Sequence, residues 1–311
     1  MSRIHDALKK AEQERMGGVR PAPGTSALDT PPATVPADEV AGTHTEGRMP
    51  ATALRTAAIP EVLTIETLQS RCPVSAWNPD PKRIVAYLAS ENRLGNEEFR
   101  SLRSRLYQSR DTGPLRRVLI TSPLPQEGKT YVATNLAYAI VRQRERRVLL
   151  VDADLRWSRL HTMLGTNLSL GLTDYLRGEA DVISILQRGP LDNFYFIPGG
   201  KSASNPVELI ANGRLKVLFD QLTPLFDWII VDSPPAVTMS DASLLAELCD
   251  GVLLVVAAGK TPFDLAQKTR EQFKKSRLLG AVLNRVEPYS TGSHYYYGYY
   301  RRDGKNQEAK R

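Results

Sequence analysis

The sequence SPLPQEGKT, Ser122 to Thr130, stands between an apolar run and a helical pattern. A loop in that position turns its backbone N–H groups, and the N-terminus of the helix behind it, toward one point. The result is a cradle for an anion. Lys129 would reach the β- and γ-phosphates of a nucleotide there, and the Thr130 hydroxyl would ligate Mg²⁺. Pro125, Gln126, Glu127, Gly128 and Tyr131 complete the stretch expected to line that nucleotide. One position departs from the usual spacing: Pro123 stands where a glycine is expected five places before Gly128. Taken alone, the loop could be an ordinary strand-to-helix turn with a surface lysine.

Three acids change that reading. Asp152 and Asp154 follow the apolar run RVLLV, and Asp232 follows WIIV. In parallel α/β sheets the carboxyl ends of strands face the ligand crevice. A single strand-end aspartate is more often a cap or turn residue. Three of them beside a Gly-Lys-Thr loop suit phosphoryl transfer. Lys129 and Mg²⁺ would neutralise charge on the transferred group. Asp232 suits a Mg²⁺-water ligand, and Asp152 or Asp154 could accept a proton. The acceptor is suggested by the C-terminal end, since six of the 12 tyrosines lie between Tyr289 and Tyr300. Tyr295, Tyr296, Tyr297, Tyr299 and Tyr300 crowd a polar stretch broken by Gly292 and Gly298, which reads either as sticky low-complexity sequence or as phenols meant to be modified. A phenol with a pKa near ~10 is protonated at neutral pH and gains from a nearby base.

The elements that must position these groups are legible as alternation. Strand patterns RVLITS, RVLLVDAD, FYFIPGG, WIIVDSPPA, GVLLVVAAG and LGAVLNRV are separated by helical patterns at 129–143, 206–223, 240–249 and 262–278. Near-continuous Val/Ile/Leu strands are buried on both faces, and alternation with helices predicts a mainly parallel sheet with helices on both faces. A helix over 91–110 precedes them, with Phe99, Leu102 and Leu106 on one stripe. One α/β domain over 90–288 is expected. Residues 1–16 read as a short amphipathic helix, 17–89 as a disordered or irregular linker rich in Pro, Ala, Thr and Gly, and 289–311 as a flexible tail.

Composition sets the outer limits. Hydrophobic content of 41% and charged content of 24% are ordinary for a globular chain, and no apolar run approaches the ~20 residues of a membrane span. The opening segment lacks an apolar signal core, and Cys72 and Cys249 lack metal-ligand spacing, so a cytoplasmic setting is expected. A net charge of +7 favours acidic partners, but no zinc-finger spacing or recognition-helix pattern accompanies it, and nucleic acid is not expected as a partner.

The loop SPLPQEGKT, the segment LLVDADLR and the strand IIVDSPP, in that order, resemble the bacterial tyrosine autokinases (BY-kinases) of capsule and exopolysaccharide synthesis. Asn205–Ile210, Ser240-Asp241-Ala242, Leu283–Val286 and the tyrosine-rich end match too. The opening MSRIHDALKKAEQER resembles the exosortase-associated subgroup. The resemblance implies a P-loop NTPase-like fold related to MinD and ParA, with ATP and Mg²⁺ as cofactors. It implies Asp152 as the base, Asp154, Asp232 and Thr130 as metal ligands, and Asn284 as an adenine contact. The tail tyrosines would be phosphorylated between neighbouring subunits of a ring assembled by a Glu-x-x-Arg-x-x-Arg helix, here Glu97, Arg100 and Arg103. Without the resemblance those three would be an intrahelical pair on a solvated face.

A separate polysaccharide co-polymerase-type membrane activator, a tyrosine phosphatase and recruitment to the inner face of the plasma membrane are also implied. One departure is local: many members carry Arg-Pro where this chain has Trp157-Ser158. Two alternatives stand beside the kinase. A nucleotide-switched partitioning ATPase would carry a second lysine near the loop's start, where this chain has Leu124, and glycines at Pro125 and Gln126. A non-catalytic assembly scaffold would have no need of Lys129 and the three acids.

Overall fold

Strands of alternating in-and-out side chains can bury both faces only if helices cover both, and that requirement shapes the domain. A computed structural model describes residues 63–72, 74–85, 95–143 and 145–286. Seven strands form one sheet: β1 (Arg117–Thr121), β2 (Val148–Asp152), β3 (Gln187–Arg188), β4 (Phe194–Ile197), β5 (Trp228–Asp232), β6 (Gly251–Ala257) and β7 (Leu278–Asn284). Their order is β3-β4-β2-β5-β1-β6-β7. All pairings are parallel except the short β3–β4 ladder.

Among the described residues, ten α-helices and one 3₁₀ turn surround the sheet. Those before β2 are α1 (Ile65–Arg71), α2 (Asn96–Ser109), a single 3₁₀ turn (Arg110–Thr112) and α3 (Lys129–Val141). Between β2 and β5 lie α4 (Leu160–Leu164), α5 (Leu172–Arg177), α6 (Val182–Ile185), α7 (Pro206–Ala211) and α8 (Arg214–Leu222). The last two are α9 (Asp241–Glu247) and α10 (Phe263–Gln272).

The period of two along each strand sorts the core into two layers. Val118, Ile120, Val148, Leu150, Trp228 and Ile230 face one way and pack with α2, α3 and α4. Leu119, Leu149, Val151, Ile229 and Val231 face the other way and pack with α1 and α5 to α9. Helix α3 reads KTYVATNLAYAIV, apolar nearly all round, and is buried from Val132 to Val141 between sheet and α2. The expected parallel sheet with helices on both faces is the observed one.

Three boundaries differ from expectation. The pattern at 206–223 is two helices, because Gly213 turns the chain at a left-handed φ of 84° between α7 and α8. The β3 strand and helices α4 to α6 have too few residues to show a period. Within the expected linker of 17–89, Ile65–Arg71 form α1 while 74–85 run irregularly, and both pack on the domain. There Leu68, Cys72, Trp77 and Ile84 are buried in the domain core. Trp77 stands edge-on to Phe194 with ring centroids 5.1 Å apart. Gly189 leaves room for it, since a Cβ there would lie 2.7 Å from the indole. Such anchors, spaced widely and interrupted by prolines, leave no periodic trace. The expected helix at 1–16, the linker up to 62, the helical residues 91–94 and the tail 289–311 lie outside the described residues.

Candidate active site

Parallel pairing brings three of the sequence-predicted groups to one sheet end. β5 lies between β2 and β1, with Asp232 opposite both Asp152 and Ile120 in register. The loop after β1 therefore starts level with the acids. Thr130, in the first turn of α3, donates its hydroxyl to Asp232 Oδ2 at 2.6 Å. Lys129 Nζ sits 3.4 Å from Asp154 Oδ2, with both side chains largely buried. Burial opposes the lysine charge, but Asp232, Asp154 and Asp152 outweigh it and hold its pKa above the usual value.

The loop's shape is held from three sides. Gly128 has a left-handed φ of 98°, and a Cβ there would sit 2.0 Å from Asn284 Nδ2. Gln126 is also left-handed at φ 63°, and it is exposed together with Pro125. Glu127 turns inward: its Oε2 accepts from Leu124 N at 2.7 Å, and its Oε1 accepts from the Thr261 hydroxyl. Thr261 in turn accepts from Ala257 N at the end of β6, at 3.1 Å. Asn284, at the end of β7, donates its amide to the Glu127 carbonyl at 2.8 Å. Thus the ends of β6 and β7 set the loop. Asn284, expected as an adenine contact, is placed against the loop backbone. Tyr131 packs edge-on against Phe99 of α2, ring centroids 5.7 Å apart.

The acids differ in surroundings. Asp152 has no exposed surface. Its Oδ2 accepts from Ser158 Oγ at 2.7 Å and from Arg159 N and Leu160 N at 3.1 Å, and its Oδ1 accepts from Asp154 N at 3.2 Å. Burial, reinforced by the facing Asp232, pushes its pKa up to about 7 despite those donors. Burial pushes Asp232 up to about 6, while Lys129 and Thr130 pull it back. Asp232 Oδ1 is buried without a hydrogen-bond partner. Asp154 Oδ1 accepts from Trp157 N at 3.1 Å.

Sequence reasoning missed several supporting residues. Ser158 occupies a position noted only as a departure, yet its hydroxyl holds Asp152. Arg156 reaches Asp241 through Nε at 3.1 Å and Nη2 at 3.4 Å, tying the turn after β2 to α9. Thr261 supports the phosphate loop from across the sheet. No short-range signal marks the last two contacts, because their partners lie 85 and 134 positions away. Glu97, Arg100 and Arg103 share a face of α2, well apart in sequence from the acids. Arg100 pairs with Glu97, while Arg103 is half-buried and donates to the Ala139 carbonyl at 2.5 Å. The tyrosines 295–297, 299 and 300 lie outside the described residues.

A bound nucleotide and Mg²⁺ fit these residues on structural grounds. The loop is glycine-turned where a Cβ would clash, and an orphaned carboxylate oxygen sits beside a threonine hydroxyl. No group of three or more His, Cys, Asp or Glu side chains with metal-ligand placement occurs among the described residues. No described helix is long and apolar enough to cross a membrane.

Comparison with known proteins agrees. A family model described as an AAA domain matches residues 127–267. Tyrosine-protein kinase YwqD of Bacillus subtilis is 32% identical over 221 residues, spanning 70% of this chain and 92% of that protein. Tyrosine-protein kinase CpsD of Streptococcus agalactiae is 34% identical over 216 residues, 68% of this chain and 92% of the relative. The match to tyrosine-protein kinase ptk of Acinetobacter johnsonii, 30% identical, spans 68% of this chain but 29% of that longer protein. Among solved structures, the chimerical protein CapA2B2 superposes with a TM-score of 0.63 at 26% identity, covering 72% of this chain and 100% of its own. The kinase domain of Escherichia coli tyrosine kinase ETK gives 0.59 at 25% identity, covering 74% and 99%. With its phosphate loop, strand-end acids and these relatives, the chain belongs to the bacterial tyrosine-protein kinases.

Proposed function

We propose that this kinase transfers the γ-phosphoryl group of ATP, with Mg²⁺, to tyrosines 295–300 of a neighbouring copy. The observation that carries the reading is the convergence of Lys129, Thr130, Asp154 and Asp232 at one sheet end, with Asp232 Oδ1 left unpartnered. Backbone N–H groups of 125–130 would hold the phosphates, and Lys129 would offset charge on the moving group. Thr130, Asp154 and Asp232 would hold Mg²⁺, which when bound polarises phosphate oxygens and spreads their charge. The acceptor's phenolic proton would go to Asp152, whose pKa of about 7 lets it exist as carboxylate and as acid near neutral pH. Since that carboxylate has no exposed surface, the Ser158–Leu160 turn must loosen its hold for a phenol to reach it.

The resemblance in motifs extends the proposal. The chain would assemble with copies of itself through Glu97, Arg100 and Arg103, on whose helix a cleft lined by Asn96, Arg100, Arg103, Ala139, Arg142 and Gln143 opens. A membrane-bound co-polymerase-type activator would recruit it to the inner face of the plasma membrane, a tyrosine phosphatase would reset it, and exopolysaccharide synthesis and export would be the process regulated.

The test is incubation of the purified chain with ATP and Mg²⁺, with the activator's cytoplasmic segment present and absent. Phosphotyrosine in 289–300 is read by mass spectrometry, with Lys129→Met as control. Labelled tyrosine in the native chain alone is the expected result. ADP release without labelled tyrosine in either condition would overturn the reading in favour of a nucleotide switch.

A further inference from the structure

We propose that Trp157 is the docking platform for the segment Tyr295–Arg302 of a second copy of this chain. The inference rests on the reading of that segment as the phosphoacceptor. Of the three tryptophans, Trp77 and Trp228 are buried, whereas Trp157 is 64% exposed. Exposure alone says little, because single exposed apolar side chains are common. Placement says more. Trp157 lies in the turn that carries both acids, and its own N–H donates to Asp154 Oδ1 at 3.1 Å. The residues on either side are pinned. Arg156 holds the buried Asp241, and its carbonyl accepts from Ser202 Oγ at 2.9 Å. Ser158 holds Asp152. The indole is therefore presented from a backbone anchored through Arg156, next to the groups proposed to receive the phenol.

The segment has matching chemistry. It reads YYYGYYRR, five phenol rings followed by two guanidinium groups. An indole face stacks with aromatic rings and is the strongest ring partner for a guanidinium. One tyrosine could rest on Trp157 while its neighbour reaches the acids. Such a contact discriminates by ring and charge, which accommodates several tyrosines in turn.

Full-length Lys129→Met chain serves as acceptor, so that transfer can come only from an added enzyme copy. The enzyme is the native chain, Trp157→Ala or Trp157→Phe, and initial rates of acceptor tyrosine phosphorylation are read against acceptor concentration. We expect Trp157→Ala to raise KM for the acceptor about three- to tenfold, a factor in the range of one lost ring contact. Trp157→Phe should restore most of it, and nucleotide affinity should be the same in all three. A peptide of residues 293–302 should also quench the emission of the native chain, but not of Trp157→Ala, when light that tyrosine does not absorb is used. An unchanged acceptor KM in Trp157→Ala, with the native enzyme active, would overturn the docking role alone. No transfer by the native enzyme would instead defeat the phosphoacceptor reading on which it rests.

Discussion

Two buried acids facing each other should make the nucleotide-free protein less stable as pH rises, and Asp232→Asn should remove much of that loss. Asp232 goes from 3.8 to about 6 on folding, and Asp152 from 3.8 to about 7. A raised carboxyl pKa means that the folded state binds the proton more tightly than the unfolded chain. Between these values the folded state carries more protons, so unfolding free energy falls with increasing pH. Two units for Asp232 correspond to about 3 kcal/mol. Asp152 adds a further share, but the two are not additive because each raises the other's cost. Asn at 232 stays neutral and can still accept from Thr130, and Lys129 keeps Asp154 at 3.4 Å. At pH 5 about half of the difference between variant and native chain, roughly 1–2 kcal/mol, is already present because unfolded Asp232 is ionised there, and by pH 8 the variant should be more stable by roughly 3 kcal/mol. Urea unfolding with a chelator present, followed by the emission of buried Trp77 and Trp228, reads both. His161, whose pKa burial pulls down, adds stability as pH rises, but it does so equally in both proteins and cancels in their difference. A native stability that is flat or rising from pH 5 to 8 after that correction, or a variant less stable than native at pH 8, would refute the reasoning.

The same acids predict proton release when Mg²⁺-nucleotide binds, because metal ligation requires carboxylates. Calorimetry in buffers of different ionisation enthalpy should detect it near pH 6, fading by pH 8. Arg156→Ala would leave Asp241, with 1% of its side chain exposed, without its counter-charge. It should cost about 3–5 kcal/mol in urea unfolding, and Asp241→Asn in the same chain should recover part of that. Arg100→Ala should lower the mass seen by light scattering while sparing stability to within about 0.5 kcal/mol, because Arg100 is exposed and its pair with Glu97 is a surface one. Arg103→Ala is a poorer probe of assembly, since it also frees the Ala139 carbonyl.

Much of the site could be read from local pattern. Gly128-Lys129-Thr130, Asp152, Asp154 and Asp232 each follow a Val/Ile/Leu strand, and a parallel sheet sends all strand ends of one kind to one side. Adjacency of these residues therefore follows from strand direction, and so do two core layers from a period of two. Other features have no local trace. Thr261 on Glu127, Asn284 behind Gly128 and Arg156 on Asp241 are contacts whose energy comes from groups far apart in sequence. Strand order placed β5 between β2 and β1, and so set Asp232 against Asp152. Burial at that meeting point, which no residue type encodes, moved their proton affinities toward neutral pH. The chemistry was thus determined by the sequence, through residue type and strand-end position. How tightly each acid holds its proton was decided by the tertiary structure, because that depends on which groups share a buried space.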